Sequence, residues 1–187
     1  EIVEQSKTRF NFVESNYGGC PFALNINKFH ISSGRKAGTC NVKDQSIRFQ
    51  EISSKPSIIL VGGRFPLYLS GYYFDNKEGG VESTSPGGEF RSTRGKTFQQ
   101  EFIHTVKLLL EKGHHVILVY PIPEVGVHVP KWLFKQARSK PLEEIDRNFQ
   151  YLTTSFDVYK KRVNETFILF DSIKSSQIHR VYPHTLF

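Results

Sequence analysis

Two runs of apolar residues constrain the fold of this chain more than any other feature. Residues 57–61 are apolar after the initial serine and end at Gly62-Gly63, and residues 116–120 are apolar throughout and end at Pro121. Short apolar runs that are bounded by turn residues and lack alternating polar positions are typical of strands buried on both faces of a parallel sheet. We therefore expect two central strands.

Segments with helical periodicity separate and follow these runs. Asn41 can cap a helix, and Thr97 with Gln100 forms a capping box whose helix ends near Gly113. Strands separated by helices predict parallel pairing and an α/β layered fold. The other predicted elements are helices at 42–54, 130–138 and about 142–163, strands at 10–14 and 167–170, and loops at 15–39 and 75–96.

The composition fits one globular domain. Hydrophobic residues make up 38% of the 187 residues and include 16 Phe, which excludes collagen-like, coiled-coil and disordered classes. The N-terminal residues are too charged for a signal peptide, and the apolar stretch 56–74 carries Arg64 at mid-span, so no membrane span is predicted. The chain contains no Met and opens in what reads as the middle of a helix, so we expect it to be part of a longer protein.

The candidate site lies at the carboxyl edge of the predicted sheet, where open α/β sheets bind ligands. Gly62-Gly63 lets the backbone approach a ligand with its amides free, and Arg64 adds a permanently charged donor. The alternative is an ordinary turn whose arginine lies over aromatic rings such as Tyr68. Gly18-Gly19, beside Cys20-Pro21, forms a second amide-rich loop, or a flexible loop that is held by a disulfide bridge.

Glu124 follows Pro121-Ile122-Pro123, a rigid segment that could fix a carboxylate at the same edge or leave it solvated. The seven histidines have no metal-ligand spacing, and the chain contains no nucleophile elbow, Walker loop or dinucleotide fingerprint. We therefore predict no metal and no cofactor. Cys20 and Cys40 could be free thiols or could form a disulfide.

The chain is basic, with a net charge of +7 and a pI near 9.4. Lys131, Lys135 and Arg138 share one face of the predicted helix 130–138, and 160–162 is a second basic cluster. Such faces are either simply solvated or bind an anionic polymer or lipid head group. No nucleic-acid-binding motif is present, so nucleic acid is not predicted as a partner.

Several loops together resemble a known family. The motifs are Gly19-Cys20-Pro21 followed by Cys40, the strand end Gly63-Arg64-Phe65-Pro66-Leu67-Tyr68, the string Val119-Tyr120-Pro121-Ile122-Pro123-Glu124-Val125-Gly126 with Val129-Pro130, and the ending Val181-Tyr182-Pro183. They resemble the SGNH-type domain at the carboxyl end of bacterial acyltransferase-family-3 membrane proteins. The similarity extends over most of the chain, which would be a single domain over 1–187.

The resemblance implies a flavodoxin-like three-layer α/β/α sandwich with strand order 2-1-3-4-5. It implies a periplasmic domain, tethered to the inner membrane, that O-acylates a cell-envelope polysaccharide. A membrane domain of the same protein would deliver the acyl group to a serine activated by histidine and aspartate. It also implies a Cys20–Cys40 disulfide, and it places Arg64 where SGNH enzymes usually carry an asparagine of the oxyanion hole.

The chain departs from the family where the chemistry should be. It contains no Gly-Asp-Ser segment and no Asp-x-x-His pair, and Ser15, Ser70 and His184 do not fill those roles on spacing alone. We therefore expect the chain to be truncated at both ends relative to the family, to lack the first strand, and to be inactive by itself. A glycan-binding module that has lost the chemistry and a carbohydrate esterase of the same fold are the alternatives.

Overall fold

The computed structural model describes residues 12–52, 55–138, 141, 144 and 153–185, and strands and helices alternate along them. A short 3₁₀ turn, Pro183–Thr185, follows the last strand. In chain order the elements are β1 Ile26–His30, α1 Val42–Glu51, β2 Ile58–Val61, α2 Phe65–Ser70, β3 Gly88–Ser92, α3 Phe98–Glu111, β4 His115–Val119, α4 Val129–Ala137, α5 Phe156–Asp171 and β5 Ile178–Val181.

A parallel sheet of three strands, in the order β2-β4-β5, organises the fold. Ile58 pairs with His115 at the start of β2, and Val119 pairs with Val181 at the end of β5. Parallel strands joined by helices confirm the predicted α/β class. The three parallel strands are neighbours in the sheet in the same order as in the chain, as strands 3, 4 and 5 are in the predicted 2-1-3-4-5 order.

The core lies on one face of this sheet. Val116 and Leu118 of β4 are completely buried there, and Tyr120 is 1% exposed. Phe65 of α2, Phe102 of α3 and Phe170 of α5 meet over the same face with ring centroids 4.7 to 5.6 Å apart. Replacing such a fully buried phenylalanine by alanine typically costs about 3–5 kcal/mol, so these rings fix the helices to the sheet.

The opposite face of β2 is open among the described residues, which corrects the expectation that residues 57–61 are buried on both faces. Ile58 and Leu60 are each 68% exposed, and Val181 of β5 is 40% exposed. The reason is that α2, α3 and α5 all pack on the face of Val116 and Leu118. An apolar run shows that a strand can be buried on both sides, whereas the connections decide which side is covered.

The strand predicted at 167–170 is wrong, because these residues form the last turns of α5. A run of four apolar residues fits either a buried strand or a buried helix. Leu169 and Phe170 are buried while Ile168 is 63% exposed, which is the one-sided burial of a helix. Of the predicted helix at 142–163, residues from 156 belong to α5, and most of the earlier ones lie outside the described residues.

A two-stranded antiparallel sheet, β1–β3, occupies two segments that were predicted to be loops. β1 pairs with β3 from Ile26 opposite Ser92 to His30 opposite Gly88. Ile26 and Phe90 point into the core, but their glycine- and serine-rich flanks hide this alternation in the sequence. The last strand, β5, was also missed. Of the strand predicted at 10–14, residues 12–14 are not a strand and residues 10–11 lie outside the described residues.

The Cys20–Cys40 disulfide is present and buried, with its Cα atoms 5.4 Å apart. Gln45 of α1 is completely buried beside it and donates a hydrogen bond from Nε2 to the carbonyl oxygen of Pro21, at 3.0 Å. Asn41 caps α1 through the predicted capping interaction, in which Asp44 completes the box. A cross-link of this span contributes about 3 kcal/mol in the chain-entropy account, so the bridge anchors the otherwise irregular residues before β1.

Candidate functional site

Arg64 and Glu124 meet at the carboxyl edge of the parallel sheet. Gly62-Gly63-Arg64 leaves β2, and Pro121 to Glu124 leaves β4. Arg64 donates from Nε and Nη2 to Oε1 of Glu124, at 3.1 and 2.5 Å. The two turns that were predicted to share this edge therefore do so, because β2 and β4 are parallel neighbours in the sheet.

Two further charged residues complete what we call the rim cluster: Arg64, Glu82, Glu124 and Arg162. Arg64 binds Glu82 through two parallel hydrogen bonds, Nη1 to Oε1 at 2.9 Å and Nη2 to Oε2 at 2.7 Å. Arg162 of α5 donates from Nε to the second oxygen of Glu124 at 2.9 Å. Bidentate arginine–carboxylate pairs are the most directional ion pairs in proteins, so this edge is held rigidly.

The charges of the rim cluster balance, and its exposure is uneven. Hydrogen bonds to Glu82 raise the pKa of Arg64. Burial by itself would raise the pKa of Glu82, but the hydrogen bonds and the charge of the Arg64 guanidinium keep that pKa below its usual value. The side chain of Arg64 is 41% exposed, against 13–14% for the other three members. Arg64 is thus the member of the rim cluster that a ligand can reach.

Arg64 retains one hydrogen-bond donor for such a ligand. A guanidinium has five N–H groups, and the contacts to Glu82 and Glu124 use four of them. Among the described residues, the second N–H of Nη1 has no hydrogen-bond acceptor. The alternative for Arg64, an arginine that lies over aromatic rings such as Tyr68, is met in part, because its guanidinium lies over the ring of Tyr73, 5.9 Å from the centroid.

Close packing explains the glycines around the rim. A Cβ on Gly63 would lie 3.2 Å from the ring of Tyr68, so the absence of a side chain lets this ring pack against the turn. Burial raises the pKa of Tyr68, so the phenol stays neutral. A Cβ on Gly126 would lie 2.4 Å from the carbonyl oxygen of Gly80. The Gly80 loop therefore packs directly on the segment that carries Glu124.

The other candidates do not join the rim cluster. The carbonyl oxygen of Gly19 accepts a hydrogen bond from Lys28 Nζ at 3.0 Å, so Gly19 lies against the β1–β3 sheet. A Cβ on Gly18 would meet nothing within 4 Å, so close packing does not require that glycine. The exposed residues Lys131, Lys135 and Arg138 lie on or at the end of α4, a helix without a buried residue.

Of the three residues set aside on spacing, one touches the rim. Ser70 Oγ accepts a hydrogen bond from Arg162 Nη1 at 3.1 Å and donates to the carbonyl oxygen of Pro66 at 2.7 Å. Ser15 contacts Arg48 of α1, and His184 lies between the rings of Phe167 in α5 and Tyr182 after β5. Ser70 is thus committed to structural hydrogen bonds, and no histidine among the described residues is hydrogen-bonded to it.

The sequence reasoning missed Glu82 and Arg162. Glu82 lies in a segment predicted to be a long exposed loop, where no periodicity marks it. Arg162 was grouped with two lysines as a solvated basic cluster. Its position was readable, because Tyr159, Val163 and Thr166 are all buried and Arg162 lies on the same stripe of α5.

The described residues hold no group of three or more His, Cys, Asp or Glu side chains that could ligate a metal ion. None of the described helices is both long enough and apolar enough to cross a bilayer. The arrangement is therefore an open ion-pair cluster at the ligand-binding edge of an α/β sheet, with one accessible guanidinium.

Comparison with known proteins agrees with this architecture. No curated protein and no solved structure shows significant similarity to the chain. One protein family matches residues 2–187, and it is described as the SGNH domain that is fused to AT3 domains. The match covers nearly the whole chain, including all four residues of the rim cluster. The chain therefore belongs to the family of SGNH domains fused to AT3 acyltransferase domains.

Proposed function

We propose that this chain is the extracytoplasmic SGNH domain of an O-acyltransferase that acylates, most simply acetylates, a polysaccharide of the cell envelope. The observation that carries the proposal is the family membership, because AT3 fusion couples the domain to a membrane acyltransferase. The rim cluster supports it, since it lies where α/β enzymes bind their substrates. The domain would lie on the periplasmic side and remain tethered to the inner membrane.

The chemistry would proceed through an ester on serine. The serine Oγ attacks the acyl carbonyl while a histidine takes its proton; the bond from the acyl carbon to the donor then breaks, the histidine returns the proton to the departing donor group, and the acyl-serine ester remains. A sugar hydroxyl then attacks this ester and passes its proton to the histidine, the bond from the acyl carbon to the serine Oγ breaks, and the serine oxygen takes the proton back. The serine, histidine and aspartate belong in Gly-Asp-Ser and Asp-x-x-His segments that these 187 residues do not contain. The 187-residue chain alone is therefore proposed to be inactive.

In this reaction Arg64 would contribute its remaining N–H. A planar cation at the carboxyl edge of β2 can donate to the oxygen that becomes negative in the tetrahedral intermediate, or to a hydroxyl of the sugar. Glu82 and Glu124 hold the guanidinium in one orientation, so little conformational freedom is lost when the substrate binds. This role differs from that of an oxyanion-hole asparagine, because the cation is already paired with two carboxylates.

The test is acyl transfer by the intact membrane protein. Vesicles that contain it should incorporate radiolabelled acetyl groups into de-O-acylated envelope polysaccharide, and a serine-directed fluorophosphonate should label it. The 187-residue chain, given the same polysaccharide and probe, should show neither property. If the intact protein is not labelled and transfers no acyl group, the transferase proposal is wrong.

A non-catalytic glycan-binding module is the second candidate, because the chain itself lacks the catalytic segments. Polysaccharide binding by the intact protein, without labelling or transfer, would favour that function. An esterase of the same fold would instead hydrolyse a chromogenic acetyl ester without increasing the acetylation of the polysaccharide.

A further inference from the structure

A cleft of about 400 Å³ opens next to the rim cluster, between α2, β3 and the start of α3. Its volume lies within the roughly 300–1,000 Å³ that small-molecule sites occupy. We propose that this cleft binds a neutral carbohydrate, namely a sugar unit of the acceptor glycan. The identity of the ligand rests on the function proposed above, whereas the cleft and its chemistry do not.

Aromatic rings form one part of the cleft. Tyr72 lines the cleft and is 57% exposed, so a ligand in the cleft can reach it. Tyr68 lies deeper and packs edge-on against Phe90, with ring centroids 5.7 Å apart. The C–H groups of a pyranose form a flat apolar face that packs on such rings, and a tyrosine loses little side-chain entropy when it is covered.

Polar groups form the other part of the cleft. Thr97 and Gln99 line it from the start of α3, and Glu89 lines it from β3. Sugar hydroxyls both donate and accept hydrogen bonds, so they match a side-chain amide and a carboxylate equally well. Among the described residues that line the cleft, Glu89 is the only charged one, and Arg91 neutralises it at 2.9 Å. A cleft without a free cation does not favour a phosphate or carboxylate ligand, which leaves a neutral polyhydroxylated one.

The cleft is continuous with the rim cluster. Arg162 donates to Ser70 Oγ at 3.1 Å and to the carbonyl oxygen of Tyr72 at 2.9 Å, and the same guanidinium binds Glu124. At the inner end of the cleft, Tyr68 packs under Gly63. A glycan chain that is held on Tyr72 can therefore extend toward Arg64, which is where acyl transfer would require the acceptor hydroxyl.

Binding is measured on the intact protein in detergent, without acyl donor. The probe is de-O-acylated envelope polysaccharide from the source bacterium, immobilised on a biosensor. We expect Tyr72→Ala to weaken binding at least ten-fold, Gln99→Ala to weaken it several-fold, and Tyr72→Phe to bind more tightly than Tyr72→Ala because the ring remains. Phe12→Ala is the matched control, since Phe12 is also an exposed aromatic residue, at 78% exposure. Melting curves report whether each variant folds.

The outcomes separate this inference from the proposed function. Wild-type affinity in both Tyr72→Ala and Gln99→Ala would overturn the cleft assignment, even if acyl transfer occurs. Loss of binding in 0.5 M NaCl would also overturn it, because a neutral ligand does not depend on ion pairing. Binding that depends on Tyr72, in a protein that transfers no acyl group, would support the cleft while the transferase proposal fails. If Tyr72→Ala does not fold, Gln99→Ala decides, and wild-type affinity in that variant overturns the cleft assignment.

Discussion

Two clusters of arginine and glutamate lie in different parts of this molecule, and they use the same chemistry for different ends. One is the rim cluster. The other, which we call the α3 cluster, consists of Asn25, Ser92, Arg94 and Glu101. There Glu101 of α3 accepts hydrogen bonds from Arg94 at 2.6 and 3.1 Å, from Ser92 at 2.7 Å and from Asn25 at 3.1 Å. Each cluster joins elements that are distant in sequence.

The difference lies in which partner is buried. In the α3 cluster the carboxylate of Glu101 is completely buried and surrounded by donors, which tie α3 to the β1–β3 sheet. Burial alone would raise the pKa of Glu101, but the hydrogen bonds from Arg94, Ser92 and Asn25 lower it to about 2. In the rim cluster the carboxylates are nearly buried and a cation is exposed. A closed cluster of this kind stabilises the fold, whereas an open one can also receive a ligand.

The largest effect is expected for Glu101→Gln. The substitution removes the charge that three donors surround, so the free energy of unfolding at pH 7 should fall by about 3 kcal/mol, which is the value of the pKa shift. Urea unfolding measures it. Glu89→Gln is the control, because Glu89 and Arg91 form an exposed pair worth less than about 1 kcal/mol. Equal losses in the two variants would contradict the comparison.

The same carboxylate predicts how stability depends on pH. The pKa of Glu101 is lower in the folded than in the unfolded chain, so its contribution is present above pH 4.5 and is lost as the pH falls toward about 2. Wild-type stability should decrease by up to about 3 kcal/mol over this range from this group alone. Glu101→Gln should show a correspondingly smaller decrease in pH-dependent urea unfolding. Parallel pH profiles of the two proteins would refute the assignment.

A smaller loss is expected for Glu124→Gln in the rim cluster. The amide replaces one oxygen that accepts from an arginine, and it turns a donor toward Arg64 or Arg162. We expect a loss of about 2 kcal/mol, since hydrogen bonds to charged groups are worth about 1.5–3 kcal/mol each and Arg64 can turn toward solvent. The urea midpoint measures this. A loss larger than that of Glu101→Gln would mean that the rim cluster, and not the α3 cluster, is the main electrostatic support of the fold.

The smallest change in stability is expected for Arg64→Lys. Lysine keeps the charge at a position that is 41% exposed, so the free energy of unfolding should change by less than about 1 kcal/mol. A compact ammonium cannot contact Glu82 and Glu124 in parallel and still present a fixed donor. Acyl transfer by the intact protein should therefore fall at least ten-fold. Arg91→Lys, in the exposed pair of β3, should change neither quantity, and full transfer by Arg64→Lys would exclude the proposed role of Arg64.

Short-range sequence patterns correctly predicted two helix caps and two strands of the parallel sheet. The cap of α1 at Asn41 and the box at Thr97 were predicted correctly, because capping depends only on neighbouring residues. The strands at 57–61 and 116–120 were also predicted correctly, because an uninterrupted apolar run between turn residues is itself a local pattern. The run at 167–170 was assigned to a strand, because four apolar residues carry no period that separates a helix from a strand.

The rim cluster shows both outcomes within one site. Arg64 and Glu124 follow two parallel strands, and strand ends meet at one edge, so their contact could be expected from the sequence. Glu82 reaches the site only because a loop folds back so that Gly80 packs on Gly126. Nothing in the spacing of residues 75–96 encodes that return.

By itself, the sequence determined the α/β class, the family and the edge at which two charged turns meet, because short-range hydrophobic and turn patterns fix strands and their ends. The tertiary structure decided which face of the sheet is covered, which carboxylates complete the ion-pair clusters, and that a cleft opens beside them. Those features depend on contacts between residues that are far apart along the chain, and such contacts leave no period or motif in the local sequence.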